Sequence, residues 1–458
     1  MTDLHAITAI SPIDGRYYAL TEDLAADFSE YGLIRARVRV EVEWLLFLAE
    51  RPEIADVRAF TEMEQVFLRH LVAEFDPAQA ERVKEIEATT RHDVKAVEYY
   101  LRERLAGTTL ADAREFIHFC CTSEDINNLA YGLMLQGGIR DKWLPRAHQL
   151  ADRVADVAGV LRDQPMLART HGQPASPTTL GKEMAVFVHR WRRQLAQLER
   201  AEYLGKFSGT VGNYHTHSVA YPDAPWEDLA RAFVERLGLT WNPLTTQIEA
   251  HDWIAELAHG LIRFNTITLD FDQDVWTYIS LGYFKQKVVR HEVGSSTMPH
   301  KVNPINFENS EANLGVSNAL LSHLATKLPV SRLQRDLTDS SALRNVGTAV
   351  AHSSLAIQSA LRGIGLLEVS PDALRRDLED AWEVLAEPIQ TVMRRVGIEG
   401  AYEQLKELTR GAGITREAIQ EFVRGLDIPA ADKERLLALT PSTYLGLAPQ
   451  LVKHVQSA

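Results

Sequence analysis

The residues best suited to chemistry lie in segment 294–304, which reads GSSTMPHKVNP. Two prolines and a glycine prevent a helix here, yet the segment carries the hydroxyls of Ser295 and Ser296, the ammonium of Lys301 and the amide of Asn303. Such polar loops on a rigid scaffold are typical of binding sites. A solvated turn between helices is the alternative. The carboxylate of Glu308 closes the segment.

A second candidate is His171, in segment 169–177 (RTHGQPASP), where glycine and proline interrupt the helical pattern. Histidine is the usual general acid or base near neutral pH. Most turn histidines only bind the backbone, so this segment alone leaves both interpretations open.

Segment 118–128 (HFCCTSEDINN) offers an anion site. Thr122 and Ser123 precede Glu-Asp, which is typical of a helix N-terminus. The free N–H groups of such a terminus attract anions, and His118 stands just before it. Plain helix capping is the alternative.

Segment 332–344 (RLQRDLTDSSALR) places arginines and hydroxyls ahead of a helix, among them Arg335, Ser340 and Arg344. Arginine forks beside hydroxyls suit a phosphate. Surface Arg–Asp pairing is the alternative.

Other residues are weaker candidates for substrate contact, because residues of each of these kinds more often have a purely structural role. They are Arg91, His92 and Asp93 in a charged run, Gln247 before a long helix, and Arg16 and Tyr17 after an Asp-Gly turn. HExxH, CxxC, P-loop and GxGxxG patterns are absent from the sequence. This argues against a zinc hydrolase, a P-loop NTPase and a Rossmann dehydrogenase.

Long helices must position these segments. Apolar residues from Ile254 to Tyr278 repeat every three or four positions, with Thr268 at one seam position. The pattern predicts a helix over about 253–287, roughly 50 Å long. Similar stripes predict helices over 184–198 and 343–367, while 207–221 reads as a long loop or short hairpin.

The fold class is therefore all-α, with three helical domains around a long central helix bundle. We expect an N-terminal helical domain at 1–111, the bundle at 112–367 and a small C-terminal helical domain at 368–458. Ser370-Pro371-Asp372 reads as the start of the first C-terminal helix. Long helices with apolar faces usually bury them against other subunits, so we expect an oligomer.

The charge and cysteine content of the chain limit its possible binding partners and cellular compartment. The 458 residues carry a formal charge of −13, which argues against nucleic acid and anionic membranes as partners. The two cysteines, Cys120 and Cys121, are adjacent and unsuited to a relaxed bridge, so a reducing cytoplasm fits best. We expect no membrane span and no signal peptide.

Together the segments resemble the fumarase/aspartase superfamily. GSSTMPHKVNP is similar to its signature, and THGQPASP and TSEDINN to its two other common regions, in the expected order. Within it the chain resembles the bacterial adenylosuccinate lyase family through RHDVKAVEYY, FIHF, GNYHTH and RDLTDSS. His300 stands where fumarases and aspartases carry Gly and argininosuccinate lyases carry Gln.

The resemblance implies an all-helical homotetramer whose active sites each draw on three subunits. It implies β-elimination of fumarate from adenylosuccinate, leaving AMP, and from the succinylated aminoimidazole carboxamide ribotide. No metal and no organic cofactor is implied.

The resemblance also assigns roles. Ser295 is the base, ionised to an alkoxide, and His171 is the acid that protonates the departing nitrogen, oriented by Glu308. Lys301 and Asn303 grip the succinyl carboxylate. The other positions expected to contact substrate or its phosphate are Arg16, Tyr17, Arg91, His92, Asp93, His118, Thr122, Ser123, Gln247, Ser296, Arg335, Ser340 and Arg344.

Two rival functions remain open. A sister lyase acting on another aminosuccinate, such as argininosuccinate, would leave the arginines of 332–344 idle. A non-catalytic scaffold recruited from the same superfamily could lose His171, Ser295 and Lys301, all of which are present. We also expect Cys121, next to Thr122, to make the site sensitive to oxidation.

Overall fold

The computed structural model describes residues 5–287, 298, 301–409 and 414–456. Helices dominate this part of the chain, which confirms the all-α fold class. Two compact units form, each from three stretches of chain. The first comprises Met1–Ala147, Gln194–Thr266 and Ala312–Gln358, and the second His148–Arg193, Ile267–Glu311 and Ser359–Ala458. The predicted three-domain division stays a prediction.

The N-terminal third is helical, as expected. Its helices are α1 (Tyr18–Thr21), α2 (Ala25–Phe28), α3 (Glu30–Ala49), α4 (Glu62–Ala73), α5 (Pro77–Thr90), α6 (Asp93–Leu105), α7 (Ser123–Leu135) and α8 (Leu144–Val160). Short 3₁₀ turns cover Glu22–Leu24 and Ala111–Phe116, and a π-helical stretch covers Gln136–Trp143.

The middle of the chain contains the two longest helices that the structure describes. The helices of this part are α9 (Leu180–Leu198), α10 (His215–Ala220), α11 (Trp226–Arg236), α12 (Asp252–Ser280), α13 (Ile305–Lys327), α14 (Thr338–Leu343) and α15 (Val346–Gly365), and the two longest are α12 and α13. The C-terminal helices are α16 (Pro371–Glu379), α17 (Ala386–Arg395), α18 (Ala401–Thr409), α19 (Arg416–Gly425), α20 (Ala430–Ala438) and α21 (Ala448–Leu451), with 3₁₀ turns at Trp382–Leu385 and Val452–Val455.

The strands are short and pair two by two. In chain order they are β1 (Pro165–Met166), β2 (Arg169–Thr170), β3 (Gln173–Pro174), β4 (Thr178–Thr179), β5 (Leu204–Gly205), β6 (Thr240–Trp241), β7 (Phe284–Gln286) and β8 (Leu367–Val369). The pairs β1–β4, β2–β3 and β7–β8 are antiparallel, whereas β5–β6 is parallel.

The predicted long helix is real but ends earlier than expected. Helix α12 stops at Ser280, and Gly282 takes a positive φ of 75° that breaks the helix. The next residues form β7, so the extension to 287 was wrong. The polar seam residue Thr268 is also explained, because its hydroxyl accepts the indole N–H of the buried Trp191 at 3.0 Å.

Two other local predictions differ in detail. Within 207–221 a short helix, α10, forms instead of a hairpin. The stripe predicted over 343–367 begins only at Val346, because α14 ends at Leu343 and a new helix starts after it. In the part of the chain that the structure describes, each helix is too short or too polar to cross a membrane.

Candidate active site

His171 lies at the tip of a two-stranded ribbon in the second unit. The ribbon pairs Pro165 with Thr179 at its base and Thr170 with Gln173 next to its tip. His171 and Gly172 form the two-residue turn, with φ of 54° and 75°. Two positive φ values are typical of the type I′ hairpin turn. The segment that interrupts the helical pattern is thus a hairpin ribbon, and the His171 imidazole is exposed at its tip.

The signature segment is described only in part. Ser295 and Ser296, predicted as base and substrate contact, lie outside the described residues, as does His300. Lys301 is exposed and Asn303 is half-buried, and both immediately precede α13.

Glu308 stands in the first turn of α13. Its Oε1 accepts a hydrogen bond from the indole N–H of Trp276 at 3.2 Å. Among the residues that the structure describes, no hydrogen bond or ion pair joins Glu308 to His171 within one chain. The predicted orientation of His171 by Glu308 stays a prediction.

The first unit brings Gln247 and Arg335 together. Nη1 of Arg335 donates to Oε1 of Gln247 at 3.2 Å, and its Nη2 pairs with Oε1 of Glu124 at 3.1 Å. Burial raises the pKa of Glu124, against the lowering effect of the Arg335 guanidinium. Gln247 in turn donates to the carbonyl oxygen of Thr210 at 2.9 Å. The arginine is therefore held by partners on two other segments, and one of these partners, Gln247, is itself anchored to a third.

The same network extends to Asp93 and Arg344. The Asn127 amide donates to Glu124 at 2.8 Å and accepts from Nε of Arg37 at 2.8 Å. Nη2 of Arg37 pairs with Asp93 at 2.6 Å, and Nη2 of Arg344 lies 3.8 Å from the same carboxylate. Burial works against the charge of Asp93, but Arg37 and the backbone N–H of Val94 together with His92 outweigh it, and the pKa of Asp93 is lowered. Four predicted substrate residues thus share one continuous polar network.

His118 is paired with a carboxylate that sequence reasoning missed. The fully buried Glu41 meets Nδ1 of His118 at 2.6 Å through Oε1 and accepts its backbone N–H at 3.1 Å through Oε2. Burial lowers the pKa of His118, but Glu41, with smaller contributions from Glu98 and Asp125, outweighs burial, so the pKa is raised. The pair favours a cationic imidazolium with Nε2 on the opposite edge of the ring.

Thr122 and Ser123 open α7, as predicted. Thr122 is the N-cap residue, and Asp125 completes a capping box. Asp125 is fully buried and forms an ion pair of 2.8 Å with the equally buried Lys206. It also accepts the backbone N–H of Ser208 at 2.9 Å. The helix N-terminus is therefore fixed to the loop that follows β5.

The remaining predicted residues lie on the surface of the first unit. Arg16 is exposed, with its guanidinium 5.8 Å from the ring centre of Tyr17. Arg91 ends α5 in a left-handed conformation, with φ of 56°. His92 caps α6 by accepting a backbone N–H at 3.2 Å. Ser340 lies in α14 and is half-buried.

Sequence reasoning missed the buried charges that support these groups, namely Arg37, Glu41, Glu124, Asp125 and Lys206. One signal was available, since Arg37 and Glu41 lie four positions apart, on the same face of α3 as the apolar residues Leu33 and Leu45. Charges in a helix that is buried on most sides are usually paired. Their partners lie 56 and 77 positions away in sequence, so the pairing itself was not predictable.

Solved structures show the same fold. A fumarate lyase from Mesorhizobium sp. BNC1 matches with a TM-score of 0.77 and 20% identity, over 95% of this chain and 97% of that one. A 3-carboxy-cis,cis-muconate lactonizing enzyme from Pseudomonas putida matches with a TM-score of 0.75 and 22% identity, over 96% and 97%. The fold is thus one seen in the fumarate lyases.

Family models and sequence relatives narrow this class. A family described as lyase matches residues 15–318, and one described as adenylosuccinate lyase C-terminal matches 331–445. The adenylosuccinate lyase of Escherichia coli (strain K12) is 54% identical over 99% of this chain and 100% of its own length. That of Vibrio cholerae (strain O395) is 54% identical over 98% and 99%. The chain belongs to the adenylosuccinate lyase family of the fumarase/aspartase superfamily.

Proposed function

We propose that this chain releases fumarate from adenylosuccinate by β-elimination, leaving AMP. It is a carbon–nitrogen lyase with Ser295 as general base and His171 as general acid. The main support beyond family membership is the network of Gln247, Arg335, Asp93 and Arg344 in the first unit. A lyase of unphosphorylated aminosuccinates has no use for arginines held in this way.

The elimination needs one proton removed and one supplied. The base takes a proton from the succinyl carbon next to a carboxylate, and the charge that develops there spreads into that carboxylate. Lys301 and Asn303 stabilise the resulting dianion. The C–N bond then breaks, and His171 gives its proton to the nitrogen that remains on the nucleotide. An exposed imidazole on a rigid hairpin suits this transfer, because the backbone fixes the position of the ring.

The phosphate of the nucleotide is held in the first unit. Arg335 and Arg344 supply guanidinium groups, and His118 supplies an imidazolium that Glu41 keeps charged. Ser340 supplies a hydroxyl. The N-terminus of α7, where Thr122 and Ser123 lie, adds the partial positive charge of the helix dipole. The succinylated aminoimidazole carboxamide ribotide carries the same phosphate, ribose and succinylamino groups, so we expect it to be a second substrate.

The other positions proposed to contact substrate are Arg16, Tyr17, Arg91, His92, Asp93 and Gln247 of the first unit, and Ser296 of the signature segment. The chain acts as a homotetramer in the cytoplasm, with active sites shared between subunits. The exposed tip of the His171 ribbon supports this arrangement, because a group that completes a neighbour's site must project from its own subunit.

A substrate panel tests this function. Purified protein is incubated with adenylosuccinate, the succinylated ribotide, argininosuccinate and aspartate, and fumarate release is measured by chromatography. The proposal expects fumarate from the first two substrates alone. Fumarate from argininosuccinate or aspartate but not from adenylosuccinate would overturn the phosphate-binding role of Arg335 and Arg344. Inertness toward all four would favour a non-catalytic role.

A further inference from the structure

Arg169 lies two residues before His171 in the same ribbon, and it makes three hydrogen bonds beyond the ribbon. Its Nη1 donates to the hydroxyl oxygen of Tyr283 at 2.6 Å. Its Nη2 donates to Oδ1 and Oδ2 of Asp377 at 2.9 and 2.7 Å. The Tyr283 hydroxyl donates to Asp377 as well. The three side chains therefore close a triangle in which each contacts both others.

The triangle joins three separate elements of the second unit. Arg169 belongs to β2, Tyr283 directly precedes β7, and Asp377 belongs to α16. The backbone reinforces the junction, since the N–H of Ser370 donates to the carbonyl oxygen of Tyr283 at 2.8 Å. The ribbon is thereby tied to the strand that leads, in sequence, toward Ser295.

Tyr283 and Arg169 keep the protonation states that the hydrogen bonds of the triangle require. Tyr283 is buried, and burial raises its pKa to about 12, so its hydroxyl keeps the proton that it donates. Arginine stays charged at all accessible pH values, and its planar guanidinium fixes the direction of each bond. The Arg169 and Asp377 side chains are only about one quarter exposed, at 26% and 28%, so water competes weakly.

Other contacts attach the ribbon to the second unit and keep it folded without the triangle. Leu167 is buried in the apolar cluster formed by the C-terminal helices. Between β3 and β4, the Ser176 hydroxyl donates to Glu387 of α17. Loss of the triangle should therefore change the angle of the ribbon tip rather than unfold the ribbon.

We propose that Arg169, Tyr283 and Asp377 form a positioning triad that sets the place of the His171 imidazole during proton transfer. This inference rests on the proposed function of His171 as general acid. The triad does not touch substrate; it acts through the backbone of β2, whose last residue, Thr170, precedes His171. A displacement of about 1 Å at a reacting group can cost on the order of 100-fold in rate.

The test compares mild variants with a matched control. Tyr283→Phe removes only the hydroxyl, and Asp377→Asn keeps the shape of the side chain. Asp152→Asn breaks the Arg192–Asp152 ion pair of 2.9 Å in the same unit, away from the ribbon. For each protein, kcat and KM for adenylosuccinate, the pH profile of kcat and the urea midpoint of unfolding are measured.

Both triad variants should lose about 10-fold or more in kcat, with KM within about 3-fold and an unfolding midpoint close to that of the control. The basic limb of the kcat profile should shift, because the acid is held differently. Arg169→Lys should retain more kcat than Arg169→Met.

Unchanged kcat and pH profile in both mild variants, with an active wild-type protein, would overturn the triad alone. A fall of kcat that only follows lost stability would also overturn it, because the role would then be structural. A wild-type protein that is inert toward adenylosuccinate would overturn both the triad and the proposed function.

Discussion

Replacing Asp125 by asparagine is expected to destabilise the protein by about 3–5 kcal/mol, the usual cost of removing one partner from a buried ion pair. Asp125 and Lys206 are both fully buried and lie 2.8 Å apart. Asparagine has nearly the same shape, so the loss reports charge rather than packing. The carboxylate also accepts the backbone N–H groups of Thr122, Ser208 and Gly209, and these charge-assisted bonds weaken in the variant.

The structure also predicts an asymmetry between the two partners. In Asp125→Asn, the ammonium of Lys206 keeps one described acceptor, the carbonyl oxygen of Gly209 at 2.9 Å. In Lys206→Met, the carboxylate keeps three backbone N–H donors and the N-terminus of α7, all of which favour negative charge. Lys206→Met should therefore cost less than Asp125→Asn, despite the loss of the same ion pair.

Urea unfolding followed by tryptophan fluorescence, at one protein concentration, measures both free energies. Asp112→Asn is the control, because the Asp112–Arg58 pair is largely exposed and should contribute less than about 1 kcal/mol. Because Asp125 fixes Thr122 and Ser123, the KM for adenylosuccinate should rise as well. A loss within 1 kcal/mol of the control, or a larger loss in Lys206→Met, would refute this reasoning.

Three further predictions concern individual side chains. Glu41→Gln removes the main charge that raises the pKa of His118, so burial should bring that pKa below its ordinary value of 6.5. Near pH 6.5 the imidazole is then mostly charged in the wild type and mostly neutral in the variant, so KM should rise there by about 10- to 100-fold and by less at pH 5, as steady-state kinetics would show. Arg335→Met should raise KM by a similar factor, whereas Arg82→Met, which breaks a surface pair with Glu103, should not. Burial lowers the pKa of His217 from its ordinary value of 6.5 to about 4 in the folded protein. On acidification the unfolded chain therefore takes up this proton at a higher pH than the folded chain does. The free energy of unfolding should fall from pH 6.5 toward pH 4 by up to about 1.4 kcal/mol per pH unit. His217→Phe should remove that part of the acid sensitivity, which urea midpoints at pH 7 and 4.5 would measure.

Local patterns in the sequence predicted much of the helical architecture. The stripe from Ile254 onward marks α12, and the start of α7 at Thr122 and Ser123 follows from the preference of hydroxyl side chains for helix N-termini. The proline at position 371 likewise marks the start of α16. These signals depend on neighbouring residues, so a single sequence contains them.

Features that depend on distant pairing were not predictable. Gly282 marks the end of α12, but the residues after it form β7 because they pair with β8, more than 80 positions away. The His171 segment is a ribbon only because its two strands pair around a turn with two positive φ values. The carboxylate that charges His118 belongs to Glu41, on another helix. The partners of β7 and of His118 are distant in sequence, whereas the His171 hairpin is local, and in all three cases the local residue types fit several outcomes.

For the site, too, the sequence predicted the residues but not the contacts between them. Residue types and order predicted His171, Arg335 and Gln247 as site residues, and the contact between Arg335 and Gln247 came only from the structure. The positions of Ser295 and Ser296 lie outside the described residues, so their roles rest on the resemblance alone.

The central claim is that His171 donates the proton that allows fumarate to leave adenylosuccinate. Single-turnover fumarate release should be measured for the wild type, for His171→Ala and for His70→Ala, which removes an exposed histidine from α4. We expect a loss of about 100- to 10,000-fold in His171→Ala and a wild-type rate in His70→Ala. Release by His171→Ala at a rate within a few-fold of the wild type would contradict the account.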